Sequence, residues 1–159
     1  HQPAALAIAF PRQGNDAHQA RKAIKAIDDV DGVLTSGQVF FGPDGKESMK
    51  GFDIQDGFGI KLLQSVGIEC AVITGRHSKM VLGRCDELGI TNVFTGVQDK
   101  KLALLELKER VPFNPAIDLA VMGDDWPDLS IMQSAGLRIA PAQAHGSHPD
   151  VRARCYFAV

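Results

Sequence analysis

The sequence predicts an α/β fold: a parallel β-sheet with helices on both faces and one inserted β-hairpin. Three observations lead there. Short apolar strands alternate with helical patterns along the chain, which implies parallel pairing through right-handed crossovers. The strands at Cys70–Thr74 and Asp118–Met122 read as segments buried on both faces, as parallel sheets require. Acidic and glycine-containing segments follow the strands, so they gather at one sheet edge. In such sheets the ligand crevice lies beyond the carboxyl ends of the strands.

Composition sets the outer limits. A chain of 159 residues can bury a sizeable core. Its 45% hydrophobic and 23% charged content is ordinary for a globular domain. A net charge of -2 weighs against a nucleic-acid or anionic-membrane partner. The three cysteines, Cys70, Cys85 and Cys155, are odd in number and lack metal-ligand spacing. That favours unpaired thiols in a reducing compartment, hence a cytoplasmic location. No apolar run reaches bilayer length. Ala4–Phe10 is too short for a signal core and has no basic leader. The chain begins at His1 rather than Met, so a preceding piece is expected. There is no repeat, low-complexity tract or linker. We expect a flexible arm over 1–20, rich in Pro and Gly, and a single domain over 21–159.

The elements follow in order. Ala23–Ile27 is a short strand that ends at an acidic pair. Gln38–Phe41 and Lys46–Phe52 flank Gly42-Pro43-Asp44-Gly45, the spacing of a hairpin. Asp56 can cap a helix from about Phe58 to Val66, ended by Gly67. Cys70–Thr74 is a strand, and Ser78–Leu88 an amphipathic helix stopped by Gly89. Asn92–Thr95 is a short strand. Lys100–Arg110 is a helix with Leu102, Leu105 and Val111 on one face, and Pro112 just beyond it. An apolar strand spans Ile117–Met122, Asp128–Ser134 is helical, and Leu137–Ala140 and Tyr156–Ala158 are strands.

Five carboxylates at strand ends carry the first chemical signal. Asp29 and Asp31 stand two apart before Gly32, and Asp124, Asp125 and Asp128 follow the later strand. Acids crowded this way repel one another unless a hard cation neutralises them, and oxygen ligands suit Mg²⁺. One carboxylate of the Asp29/Asp31 pair can attack phosphorus while the other serves the leaving group as acid and later activates water. An Asp-rich turn would have the same composition, and Asp125 or Asp128 could instead cap a helix. Thr74-Gly75 offers a hydroxyl and backbone N–H groups to a phosphoryl oxygen, or is only a turn. Lys100 can neutralise phosphate, or is a solvated surface lysine with Lys101 as a rival. His145 and His148, three apart, lie in a Gly/Ser/Pro loop without further ligands and read as loop residues.

Asp29-x-Asp31, Thr74, Lys100 and Gly123-Asp124-Asp125-x-x-Asp128 stand in one order. Together they resemble the four motifs of the haloacid dehalogenase (HAD) superfamily. The stretches Asp31-Gly-Val-Leu-Thr35, Lys50–Ile60, Val72-Ile-Thr-Gly-Arg76 and Arg84–Ile90 resemble the 3-deoxy-D-manno-octulosonate 8-phosphate (KDO 8-phosphate) phosphatase family. The likeness implies a Rossmann-like HAD sheet with no cap domain. It implies a Mg²⁺-dependent phosphatase of lipopolysaccharide precursor synthesis, working through an aspartyl-phosphate. It casts Asp29 as nucleophile and Asp31 as general acid/base, with Thr74 and Lys100 on phosphate. Asp29, the backbone carbonyl of Asp31 and Asp124 would hold Mg²⁺, supported by Asp125 and Asp128. Arg76 and Lys79 would meet the sugar-acid carboxylate. Family members are typically homotetramers whose hairpins close neighbouring sites, a role for the Val39–Phe52 hairpin with its apolar Val39, Phe40 and Phe41.

Three departures from the family pattern stand out. Asp28 replaces an apolar strand residue, which predicts a shortened or altered first strand and weakened metal binding. Gln55 stands where the family often has Arg. The chain stops at Val159, before the Gly-rich tail. Two other readings remain open: a phosphatase for a related nonulosonate or other small sugar phosphate, and a non-catalytic module like that of a sugar-nucleotide cytidylyltransferase.

Overall fold

The computed structural model describes residues 25–141, 144 and 157–158. The expected N-terminal arm, the His145/His148 loop and Cys155 lie outside them. A six-stranded sheet forms the centre, in the order β5-β4-β1-β6-β7-β8. Its strands are β1 (Lys25–Asp28), β4 (Glu69–Ile73), β5 (Asn92–Phe94), β6 (Leu119–Met122), β7 (Leu137–Ala140) and β8 (Phe157–Ala158). Every pairing in it is parallel. A separate antiparallel pair joins β2 (Phe40–Phe41) to β3 (Glu47–Met49).

Side-chain alternation shows why both faces need helices. On β4, Cys70 and Val72 pack with Ile60 and Leu63 of α1 (Ile54–Ser65) and with Val81, Cys85 and Leu88 of α2 (Lys79–Leu88). Its Ala71 and Ile73 turn the other way. They meet Leu104 and Leu107 of α3 (Lys100–Arg110), and Leu129 and Met132 of α5 (Trp126–Met132). Each fully buried aliphatic side chain contributes about 1.5–3 kcal/mol, so neither face could be left bare.

The strand order reverses at β1. The chain runs outward through β4 and β5, then returns to lay β6 on the other side of β1. Such a switch point opens a crevice at the carboxyl ends of its two strands. Here those ends are Asp29 and Gly123-Asp124.

Several boundaries differ from expectation. Asp53, not Asp56, caps α1, accepting the Gln55 N–H, so the helix starts at Ile54. Ile117 and Asp118 belong to a short helix, α4 (Pro115–Asp118), and only Leu119–Met122 is strand. Asn114 caps that turn and Pro115 starts it, which favours helix over strand. On α3 the buried face is Lys100, Ala103, Leu104 and Leu107, while Leu102 and Leu105 are exposed. Pairing of β1 runs through Asp28 itself, opposite Val72 and Met122, so the strand is not cut short there. Cys70 and Cys85 are both buried. Among the described residues no helix is long and apolar enough to cross a membrane.

Candidate active site

Asp29 is fixed by the sheet before its side chain does anything. Its N–H donates to the carbonyl of Met122 at 3.2 Å. The chain then makes one wide turn, Val30–Leu34, closed by the Thr35 N–H on the Val30 carbonyl at 3.0 Å. The Asp29 carboxylate caps that turn through Oδ1, which accepts the Val30 N–H at 2.8 Å. Gly32 is required twice over. Its φ of +89° disfavours any Cβ, and a Cβ there would lie 1.9 Å from Oδ2 of Asp124. The first acidic segment is thus shaped to admit the second.

Three carboxylates converge on that point. Oxygens of Asp29, Asp124 and Asp128 lie within 4.8 Å of one another. Lys100, only 4% exposed, reaches between them, with Nζ 3.0 Å from Oδ2 of Asp29 and paired also to Oδ1 of Asp128. The other Asp128 oxygen accepts the N–H groups of Asp124 and Asp125 at 3.1 Å each. With Asp125 as cap it completes a reciprocal capping box at the start of α5. The loop can fold so tightly only because residue 123 is glycine: a Cβ there would meet the Asp128 Cβ at 2.4 Å. Asp125 and Asp128 therefore cap α5 together, and Asp128 is also one of the three clustered carboxylates.

One lysine does not balance this charge. Burial, then Asp128, pushes the Asp29 carboxyl up to about 6, against the opposing pull of Lys100 and the Val30 N–H. Burial, then Asp128, Asp29 and Asp125, pushes Asp124 up to about 7. Burial disfavours the Lys100 ammonium, but Asp128 and Asp29 outweigh it and raise its pKa above the ordinary lysine value. Oδ1 of Asp124 is buried without a hydrogen-bond partner, a costly state for a carboxylate oxygen. An orphaned oxygen, clustered acids and all-oxygen donors fit a hard divalent cation.

Asp31 faces a second group of charges. Its Oδ1 pairs with Nζ of Lys50, whose side chain is 1% exposed. Its Oδ2 lies 3.7 Å from Nε of Arg76. Glu47 joins both cations, at 3.9 Å from Lys50 and 3.5 Å from Arg76, and accepts the Ser78 hydroxyl at 2.6 Å. Arg76 is therefore engaged with carboxylates of the protein itself. Lys79, the first residue of α2, is exposed. Thr74 is buried directly after β4, with its N–H on the Phe94 carbonyl at 2.9 Å and its hydroxyl 3.4 Å from the Arg76 N–H. Sequence reasoning missed Lys50 and Glu47 as site residues. The signal was a Glu and a Lys three apart in a short hairpin arm, which reads equally as a solvated strand edge.

Comparison with known proteins completes the description. No family model matches the chain. It is 42% identical over 117 residues to 3-deoxy-D-manno-octulosonate 8-phosphate phosphatase KdsC of Escherichia coli K12, a match covering 74% of this chain. The chain spans 61% of that relative's length. Among solved structures, the Moraxella catarrhalis KDO 8-phosphate phosphatase, in complex with magnesium, phosphate and KDO, superposes with a TM-score of 0.78. The two are 35% identical, and the match covers 92% of this chain and 82% of that one. The Yersinia pestis KDO 8-phosphate phosphatase gives 0.80 at 35% identity, covering 91% and 76%.

Proposed function

The chain belongs to the KDO 8-phosphate phosphatase family of HAD hydrolases, and from that premise we propose that it is a Mg²⁺-dependent phosphatase hydrolysing KDO 8-phosphate to the free sugar acid and phosphate. One observation carries the reading: Asp29, Asp31, Thr74, Lys100 and Asp124 all follow or face the carboxyl ends of adjacent strands at the switch point. The acting unit is a single domain over 21–159, with a cytoplasmic location.

Asp29 is the nucleophile. Its Oδ1 is held by the Val30 N–H, which fixes the carboxylate rotamer. Its oxygen bonds to phosphorus as the ester P–O bond breaks, and Asp31 gives its proton to the leaving alkoxide. In the second half Asp31 takes a proton from water, the water oxygen bonds to phosphorus, and the Asp29–P bond breaks. Lys100 and the Thr74 hydroxyl hold phosphoryl oxygens. Asp29, Asp124 and the Asp31 carbonyl would hold Mg²⁺, with Asp125 and Asp128 behind them. The ion supplies neutralisation of the acidic cluster and of the phosphate. Arg76 and Lys79 are the candidates for the sugar carboxylate, Arg76 after release from Glu47.

Assembly as a homotetramer belongs to the same reading. Phe40, Phe41 and Met49 leave the hairpin strongly exposed, with Phe41 at 64%, while Val39 is half-buried. Exposed aromatic side chains gathered on one arm favour burial against another subunit.

The test is phosphate release from KDO 8-phosphate with Mg²⁺ or EDTA, beside a panel of sugar phosphates including nonulosonate 9-phosphates. Light scattering on the same sample gives the mass. We expect Mg²⁺-dependent preference for KDO 8-phosphate and four chains per particle. Turnover spread evenly over the panel would overturn the substrate, and none with any ester would return the non-catalytic module.

A further inference from the structure

Lys50 is an unusual lysine for a hairpin arm. Its side chain is 1% exposed, and it faces two carboxylates, Asp31 and Glu47. Burying an ammonium is costly unless it is paired. A surface hairpin that needed only solubility would leave this residue in water. The pairing is also asymmetric. The ammonium occupies Oδ1 of Asp31, whereas Oδ2 lies 3.7 Å from Arg76 Nε, beyond hydrogen-bond reach. Asp31 therefore has one anchored oxygen and one available oxygen. The anchor is itself anchored. Glu47 lies on the same arm and accepts the Ser78 hydroxyl just before α2, which ties the hairpin to the body of the domain.

We propose that Lys50 is a positioning residue for Asp31, holding Oδ1 so that Oδ2 is the oxygen that gives a proton to the leaving alkoxide and later takes one from water. This inference rests on the phosphatase reading and adds a residue that acts through Asp31 without touching substrate. Its reach follows from proton-transfer geometry: a donor must sit within about 2.6–3.2 Å of the oxygen it protonates. A carboxylate free to rotate about its side-chain bonds spends little time there.

The test compares two leaving groups. An alkyl phosphate such as KDO 8-phosphate releases a basic alkoxide that needs a proton. p-Nitrophenyl phosphate releases a stable phenolate that does not. In Lys50→Met we expect the single-turnover rate of ester cleavage to fall roughly 10- to 100-fold for the alkyl ester and to stay within about threefold of the parent for the aryl ester, since steady-state kcat also contains the Asp31-assisted hydrolysis common to both. Lys50→Arg, which keeps charge and donors, should recover part of the alkyl rate and guards against a folding failure in Lys50→Met. Against an Asp31→Asn background, Lys50→Met should remove nothing further. Equal single-turnover losses on both esters, or additive losses in the double variant, would overturn the positioning role and leave Lys50 a packing residue. If the parent enzyme itself releases phosphate from neither ester, the phosphatase reading falls first, and this inference falls with it.

Discussion

Two groups of buried charge sit on either side of the Val30–Leu34 turn, and they differ in balance. Among the described residues, the inner group sets Asp29, Asp124 and Asp128 against Lys100. The outer group sets Asp31 and Glu47 against Lys50 and Arg76. The outer group is neutral within itself and needs nothing more. The inner group is short of positive charge, and the deficit appears as carboxyl groups pushed up to about 6 and about 7 and as an orphaned oxygen. Such a deficit at a switch point suits a bound cation, as the proposed function requires. The balanced neighbour is suited to holding one acid still.

The largest expected effect removes the attacking oxygen from the inner group. Asp29→Asn should lower phosphate release by roughly 10⁴-fold or more, as loss of a nucleophile does elsewhere, while circular dichroism stays unchanged. Comparable turnover by that variant would remove Asp29 from the chemistry and erase the contrast between the groups.

Lys100→Met probes the same group through stability. It takes away the ammonium paired to Asp29 and Asp128 and strands both carboxylates. The metal-free protein should lose about 3 kcal/mol or more in urea unfolding. A loss under about 1 kcal/mol would mean that the pairs are solvated and the deficit unreal.

The smallest effect is a pH dependence carried by the inner group and joined, in stability, by Asp56, which burial and then Asp53 push up to about 6. Asp29 and Asp124 have folded pKa values above the unfolded value of 3.8. Their contribution to metal-free stability is fully present below that value and is lost as pH rises to about 6 and about 7. Mg²⁺ must displace those protons, so its affinity by titration calorimetry should tighten across the same window, with proton release. Flat affinity between pH 5 and 8 would contradict the assignment of both acids as ligands.

The chemistry was largely legible in the sequence because it lies in short local patterns. Asp29-x-Asp31-Gly32 and Gly123-Asp124-Asp125-x-x-Asp128 are each dictated by a close approach that only glycine permits. The sheet was legible because strands buried on both faces carry an unbroken apolar record. Where the reading failed, more than one answer satisfied the local rules. On α3, Leu102 and Leu105 form one apolar stripe and Leu104 and Leu107 another, and periodicity cannot choose between them. Lys100 chooses: its ion pairs with Asp29 and Asp128 turn its own face inward, and that face carries Leu104 and Leu107.

The sequence by itself determined the alternation of strands and helices, the order of the acidic segments, and the lysine and threonine that accompany them. These follow from residue type and spacing along a few residues of backbone. Tertiary structure alone decided that Lys100 is buried, that Arg76 and Lys50 are held by Asp31 and Glu47, and that the apolar hairpin stands exposed. Each of those depends on which distant segment arrives opposite, and Coulomb attraction and desolvation act on distance through space, which linear spacing does not encode.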